Sequence, residues 1–312
     1  MVKRRSLEGY LLIFISGILW GLGGYYVTKI SNLGVSSLMI AFPGQFLALF
    51  PLLIYLLGKN GVNGIKISKK GLLYSIILGV LTKGIFKLAY DTTITIVGVS
   101  TASILLYLAP LFTAIMSMIF LKEKLLGYQY IALLLNLLGC IIVVTGGNFA
   151  ELSISGLGLT LGILSGFLYA LATVVGKVAT SGDDPETMTL YMLMFGSITT
   201  GAFARPWQHL YLFTNSTFLF WIIFGAITNG LLANLLYLRG LSMDVDASKA
   251  TIITSVEVVV ATLVGVLLLN EKVNFVGYFG IAIMLVSIVL MNINFKKRSK
   301  EVAENEVIPE NT

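Results

Sequence analysis

Charge is what this chain has least of. Of its 312 residues only 12% are Asp, Glu, Lys or Arg, about half the share usual in a soluble domain. Histidine and cysteine occur once each, as His209 and Cys140. A single cysteine permits no internal disulfide. With one histidine there is no cluster of ligands to hold a metal or activate a nucleophile, which argues against an intramembrane enzyme. No metal and no cofactor are therefore expected. The chain contains no Gly-x-x-x-x-Gly-Lys-Ser/Thr sequence, so it does not hydrolyse ATP through a P-loop. Alternating polarity is also missing, which excludes a membrane β-barrel. No ring of charges appears, which disfavours a channel.

What remains is apolar. Hydrophobic residues make up 57% of the chain, and its mean hydropathy is +0.92. Ten runs of about 20 residues read as spans: 9–28, 36–57, 71–91, 99–120, 128–146, 157–177, 187–205, 217–238, 247–269 and 274–294. Hydrocarbon offers no partners to backbone polar groups, so each run must be a helix. The expected class is an all-α integral membrane protein of ten transmembrane helices. The first run follows Met1-Val-Lys-Arg-Arg without a small-residue cleavage site and reads as a retained span.

The net charge of +6 reports topology rather than nucleic-acid binding. If the N-terminus faces the cytoplasm, all 21 Lys and Arg fall on the inner side except Lys29, Arg205 and Lys272 outside and Lys83 and Lys87 within a span. Both termini are thus expected to be cytoplasmic, in a multi-pass protein of the cell (cytoplasmic) membrane. The tail at 295–312 turns from basic to acidic and is expected to be disordered in the cytosol.

The chain is also written twice. Ser16-Gly-Ile-Leu-Trp returns as Ser165-Gly-Phe-Leu-Tyr, Leu121-Lys-Glu-Lys as Leu269-Asn-Glu-Lys, and Ser100-Thr-Ala-Ser as Ser248-Lys-Ala-Thr. The offsets are 149, 148 and 148 residues. Each copy, 9–146 and 157–294, holds five spans. An odd number forces the second copy to enter from the opposite side, as in transporters whose sites lie at the repeat interface near the midplane. Small residues four apart, at Gly17 and Gly21 and at Gly158, Gly162 and Gly166, predict close helix approach. Pro110 predicts a kink in span 4. Its repeat mate is Val258, so any kink in span 9 has another cause.

Charges at membrane depth are the candidate functional groups. Lys83, Lys87 and Asp91 are four apart and are expected on one helix face. Lys87 can reach the interface beside Asp91, whereas Lys83 lies too deep to do so easily. Glu257 lies mid-span and is expected to be paired, protonated or facing water. Lys83 and Glu257 break the repeat, since their mates are Leu231 and Ala109. They are candidate partners across its interface. Trp20 has an aromatic mate, Tyr169, and the two could line a central cavity. Span 4 adds Ser100, Thr101, Ser103 and Tyr107, and span 8 adds Asn229 and Asn234. The resulting substrate-binding or coupling candidates are Lys83, Glu257, Trp20, Tyr107, Asn234, Tyr169, Lys87 and Asp91. Proton coupling, if present, would use Glu257 or Asp91. Glu123 and Glu271 match across the copies and read as scaffold, each favouring the start of the helix that follows it.

Several of these segments carry a family resemblance. Leu19-Trp20-Gly21, Pro110 followed by Glu123, and Ser165-Gly-Phe-Leu-Tyr-Ala-Leu resemble EamA-domain proteins of the drug/metabolite transporter superfamily. Gly240-Leu-Ser-Met-Asp-Val-Asp-Ala-Ser-Lys-Ala-Thr, Ser255-Val-Glu257-Val and Asn270-Glu271 resemble the second domain of its bacterial ten-span members. The match runs over about 9–294. It departs at Val258, where the family commonly has proline after the glutamate. The resemblance implies two inverted five-helix repeats around a cavity bounded by spans 1, 3, 4, 6, 8 and 9. It further implies alternating access and export of small metabolites, amino acids or amphipathic compounds. A lipid bilayer and a small-molecule substrate are the expected partners, and nucleic acid is not.

Overall fold

The computed structural model describes residues 2–152, 155–269 and 273–292. Glu271 and the tail at 295–312 lie outside the described residues. Every regular element among the described residues is helical. The apolar runs form α1 (Val2–Ser31), α2 (Ser37–Asn60), α3 (Lys69–Ile76), α4 (Phe86–Leu106), α5 (Ala109–Phe120), α6 (Gly127–Thr145) and α7 (Gly156–Ala179). They continue as α8 (Pro185–Ala204), α9 (Ser216–Gly225), α10 (Ala233–Leu241), α11 (Ala247–Thr254), α12 (Val256–Leu268) and α13 (Phe275–Asn292). Polar side chains start several of them. Ser36, Ser68, Asp184 and Asn215 each accept the amide three residues on, which satisfies a donor that the first turn leaves free. His209 lies between two short 3₁₀ turns, in a loop as expected.

Nine helical stretches among the described residues are long and apolar enough to cross a membrane. The seventh expected span, 187–205, is helical as α8 but is not one of the nine. Its polarity comes from hydroxyl side chains that are satisfied locally. Thr189, Thr199 and Thr200 donate to carbonyls four residues back, and Ser197 to the carbonyl three back. More than half of α8 is buried. It packs on α2 and on a π-helical segment, Ile77–Ile85, that joins α3 to α4. A helix so enclosed does not need a lipid-facing composition.

The loop expected between spans 3 and 4 is nearly absent. Helix continues up to Gly98, whose φ of 81° and ψ of 164° make the corner, a conformation that glycine alone adopts cheaply.

Local distortions recur at the repeat spacing. A second π-helical segment, Ala226–Leu232, joins α9 to α10, and a shift of 148 residues carries 77–85 onto 225–233. The α4–α5 break at Tyr107–Leu108 likewise falls on the α11–α12 break at Ser255. Pro110 sits past its break, in the first turn of α5, where its missing N–H costs no helical hydrogen bond. The second break forms with Val258 in place of proline. There Ser255 Oγ donates to the Ile252 carbonyl and accepts from Asn136 Nδ2 at 2.6 Å.

The glycine stripes bind each copy to the other. α1 crosses α12, where a Cβ on Gly21 would lie 2.7 Å from the Glu257 carbonyl oxygen. α7 crosses α4, where a Cβ on Gly166 would lie 2.8 Å from the Leu105 carbonyl oxygen. Glu123 does not serve the helix that follows it. Its carboxylate accepts from Ala247 N and Ser248 N at the start of α11. The helix it caps is chosen by spatial proximity, not by chain order.

Candidate functional site

The two deep charges each rest against an aromatic of their own copy. Lys83 belongs to the first π segment, and its ammonium lies 5.4 Å from the centre of the Trp20 ring, within cation–π range. Glu257 stands in the first turn of α12, and its Oε2 accepts the Tyr169 hydroxyl at 3.2 Å. The aromatic mates Trp20 and Tyr169 thus hold the two residues that break the repeat. Lys83 and Glu257 lie within electrostatic reach of each other. No ion pair within 4.0 Å joins them, so the expected pairing is not a direct contact. Both side chains are half-buried, which leaves each able to meet a third group.

Aromatic rings build the walls. Trp20 packs on Tyr237 at 5.1 Å between centroids, and Phe86 lies 5.9 Å from Tyr169 and 5.8 Å from Tyr90. Tyr90 and Ser103 share a hydrogen bond of 3.3 Å. Tyr107 and Tyr169 face a cleft together with Pro110, Thr251, Thr254 and Ser255. Glu257 does not line that cleft but bonds Tyr169, which does. A cation, a carboxylate, hydroxyls and ring faces can together engage a small molecule with a polar head and an apolar body.

The other candidates fall elsewhere. Lys87 and Asp91 form an ion pair of 2.7 Å at i, i+4, one turn from Lys83 in sequence. Lys83 itself turns to the Trp20 ring and takes no part in that pair. Asn234 is 6% exposed, and its amide donates to the carbonyls of Asn229 and Gly230. These are carbonyls of the second π segment, so Asn234 supports the backbone. Asn229 donates across to the Leu19 carbonyl at 2.9 Å and ties α9–α10 to α1.

Gln45 escaped the sequence reading. Its buried Oε1 has no hydrogen-bond partner, and it meets Gly196 beside the Lys83 Cβ. A glutamine in the middle of an apolar run was the available signal. Thr173, Thr251 and Tyr237 were also missed, because each looks like ordinary helix filler in one dimension.

A many-helix membrane protein that holds a cation and a carboxylate half-buried among aromatic rings has the features of a transporter. The chain belongs to the EamA-like transporter family, whose pattern matches it twice, over residues 7–145 and 156–293. It is 27% identical to an uncharacterized inner membrane transporter, YicL, of Salmonella typhimurium, over 94% of this chain and 98% of that one. It is 26% identical to an uncharacterized transporter of Archaeoglobus fulgidus, covering 93% and 98% of the two chains. The pseudopaline exporter CntI of Pseudomonas aeruginosa is 24% identical over 59% of this chain and 64% of its own. A crystal structure at 13% identity shares the fold, with a TM-score of 0.74 over 91% of this chain and 98% of the other. The protein is a multi-pass transporter of the cell membrane that handles a small molecule, and it is not an enzyme.

Proposed function

We propose that this protein is a secondary transporter that exports small metabolites, amino acids or amphipathic compounds, across the cytoplasmic membrane by alternating access. The observation that carries this reading is the pair Lys83 and Glu257: two opposite charges, half-buried among aromatic rings, each without a salt-bridge partner among the described residues. A zwitterionic or dipolar cargo can satisfy both at once, its anionic group on Lys83 and its cationic or hydroxyl group on Glu257.

The reading includes ten spans in two inverted five-helix repeats with both termini cytoplasmic. It is supported by the distribution of Lys and Arg and by the recurrence of π segments and helix breaks at the repeat spacing. The enclosure of α8 supports counting it as the tenth span. Export is favoured by one relative, CntI, which is an exporter. Glu257 is the carboxyl group placed to carry a proton, since Asp91 is engaged by Lys87.

The test is flux of a panel of amino acids and amphipathic compounds in inside-out and right-side-out vesicles, with and without an imposed pH gradient. Export corresponds to uptake into inside-out vesicles. A flux that ignores the pH gradient would remove proton coupling, and no flux for any class would remove the reading.

A further inference from the structure

We propose that Glu123 and a layer of hydroxyl groups beneath it form the cytoplasmic gate of the transport path. This rests on the export reading for its topology and adds the part that opens and closes. α11 is a lever only eight residues long, set off from α12 by the single-residue break at Ser255. Its start is held by Tyr10, whose hydroxyl accepts from Asp246 N at 3.3 Å, by Lys177 on the Val245 carbonyl, and above all by Glu123. Glu123 accepts from Ala247 N at 2.7 Å, from Ser248 N at 3.2 Å and from Ser248 Oγ at 3.0 Å. A carboxylate there meets free amides and the positive end of the helix dipole together. Its aim is fixed by a turn in which Lys122 takes a φ of 56° and the Glu123 amide donates to the Ser117 carbonyl.

One turn deeper on the same lever, Thr251 Oγ1 lies 3.1 Å from Thr113 Oγ1 and 3.3 Å from Thr173 Oγ1. Thr173 in turn lies 2.6 Å from the Tyr237 hydroxyl. Four helices, α5, α7, α10 and α11, therefore meet through four buried hydroxyls. Thr251 also borders the cleft lined by Tyr169, the residue that bonds Glu257, so along α11 the layer lies between the latch and that cleft. A closure made of hydroxyls suits a gate, because water can replace each bond when the helices part. The repeat mates of Thr113 and Tyr237 are Ala261 and Ala89. Alanine has no hydroxyl, whereas the mate of Thr251 is Ser103, which shares a hydrogen bond with Tyr90, so the opposite half keeps one hydroxyl pair in place of the four-membered layer. The structure has the latch engaged.

The test uses full-length protein in inside-out and right-side-out vesicles, with Cys140→Ser and a reporter thiol introduced by Thr254→Cys. Labelling by a membrane-impermeant thiol reagent reads the opening. Glu123→Ala is expected to speed labelling from the cytoplasmic face about tenfold by shifting the population toward the open state. Glu123→Gln, which keeps an acceptor oxygen without the charge, is expected to fall between. Should Glu123→Ala fail to fold, Tyr237→Phe removes one hydroxyl at constant shape and is expected to raise the same rate severalfold. Unchanged labelling in folded variants would overturn the gate and leave Glu123 a structural cap. Faster labelling from the external face instead would overturn its assignment to the cytoplasmic side. The assay needs no substrate. Faster cytoplasmic labelling in a protein that moves none of the tested compounds would sustain the gate and sink the export reading alone.

Discussion

Glu257 and Lys83 are held by different means, and that difference sets what their removal does. Glu257→Gln keeps an oxygen for the Tyr169 hydroxyl and removes only the negative charge. Its expected result is normal expression with flux reduced by about tenfold or more, as for loss of a charge-assisted contact to cargo. Flux in proteoliposomes measures it, and wild-type flux would take Glu257 out of the site. Lys83→Ala is expected to lose flux to a similar degree. The swap Lys83→Glu with Glu257→Lys is expected to rescue neither, because Trp20 attracts a cation and the Tyr169 hydroxyl a carboxylate. A rescued swap would show that the two act chiefly on each other. Asn234 is a contrasting case. Asn234→Leu strips two π-segment carbonyls of their donor, at a cost of about 1–3 kcal/mol. The expected signature is a lower Tm in detergent, with substrate affinity unchanged in the protein that remains folded.

At the scale of elements, close crossings decide stability. Gly21→Val would push a side chain into the Glu257 carbonyl and Val260. Overpacking of that kind costs about 1–3 kcal/mol and would also displace the first turn of α12. Thermal unfolding should show a clear loss for Gly21→Val and almost none for Gly24→Ala, since Gly24 has no neighbour within 4 Å of a Cβ. The elements themselves were largely legible, because the apolar runs can be counted, though the caps Ser36, Ser68, Asp184 and Asn215 emerged only with the structure. The glycine stripe was legible for the same reason, as a period of four. The π segments were not. Their residues, Ile77–Ile85 and Ala226–Leu232, have the composition of any spanning helix, and nothing in one dimension marks the wider winding. Lys83 was found as a deep charge, while its contact with Trp20 could not be read from spacing. Pro110 was read as the cause of a bend, yet the bend recurs at Ser255 without proline. The partner of Glu123 was illegible because it lies more than a hundred residues along the chain. Trp20 and Tyr169 were found through the repeat, which registers equivalent places without saying what they touch.

At the scale of the molecule, the inverted arrangement proposed above makes a sided prediction. A fluorescent protein fused after Thr312 is expected to fold and fluoresce in the cytoplasm, and an exported-phosphatase fusion in the loop at 206–215 is expected to be active. The reverse pattern in both would invert the topology and exchange export for import in the vesicle assay.

The hydroxyl-rich α8 also bears on how the chain is assembled. By hydropathy alone this helix is a poor candidate for insertion, and its companions, α2 and the first π segment, belong to the half that is synthesised earlier. Membrane entry of α8 should then depend on those helices being already in place to shelter it. If the gene were cut in the 147–156 linker, the second half expressed alone should leave α8 outside the bilayer, and supplying the first half should draw it in. The order of synthesis would act as a folding instruction, with the N-terminal half serving its own sister as a template inside the membrane.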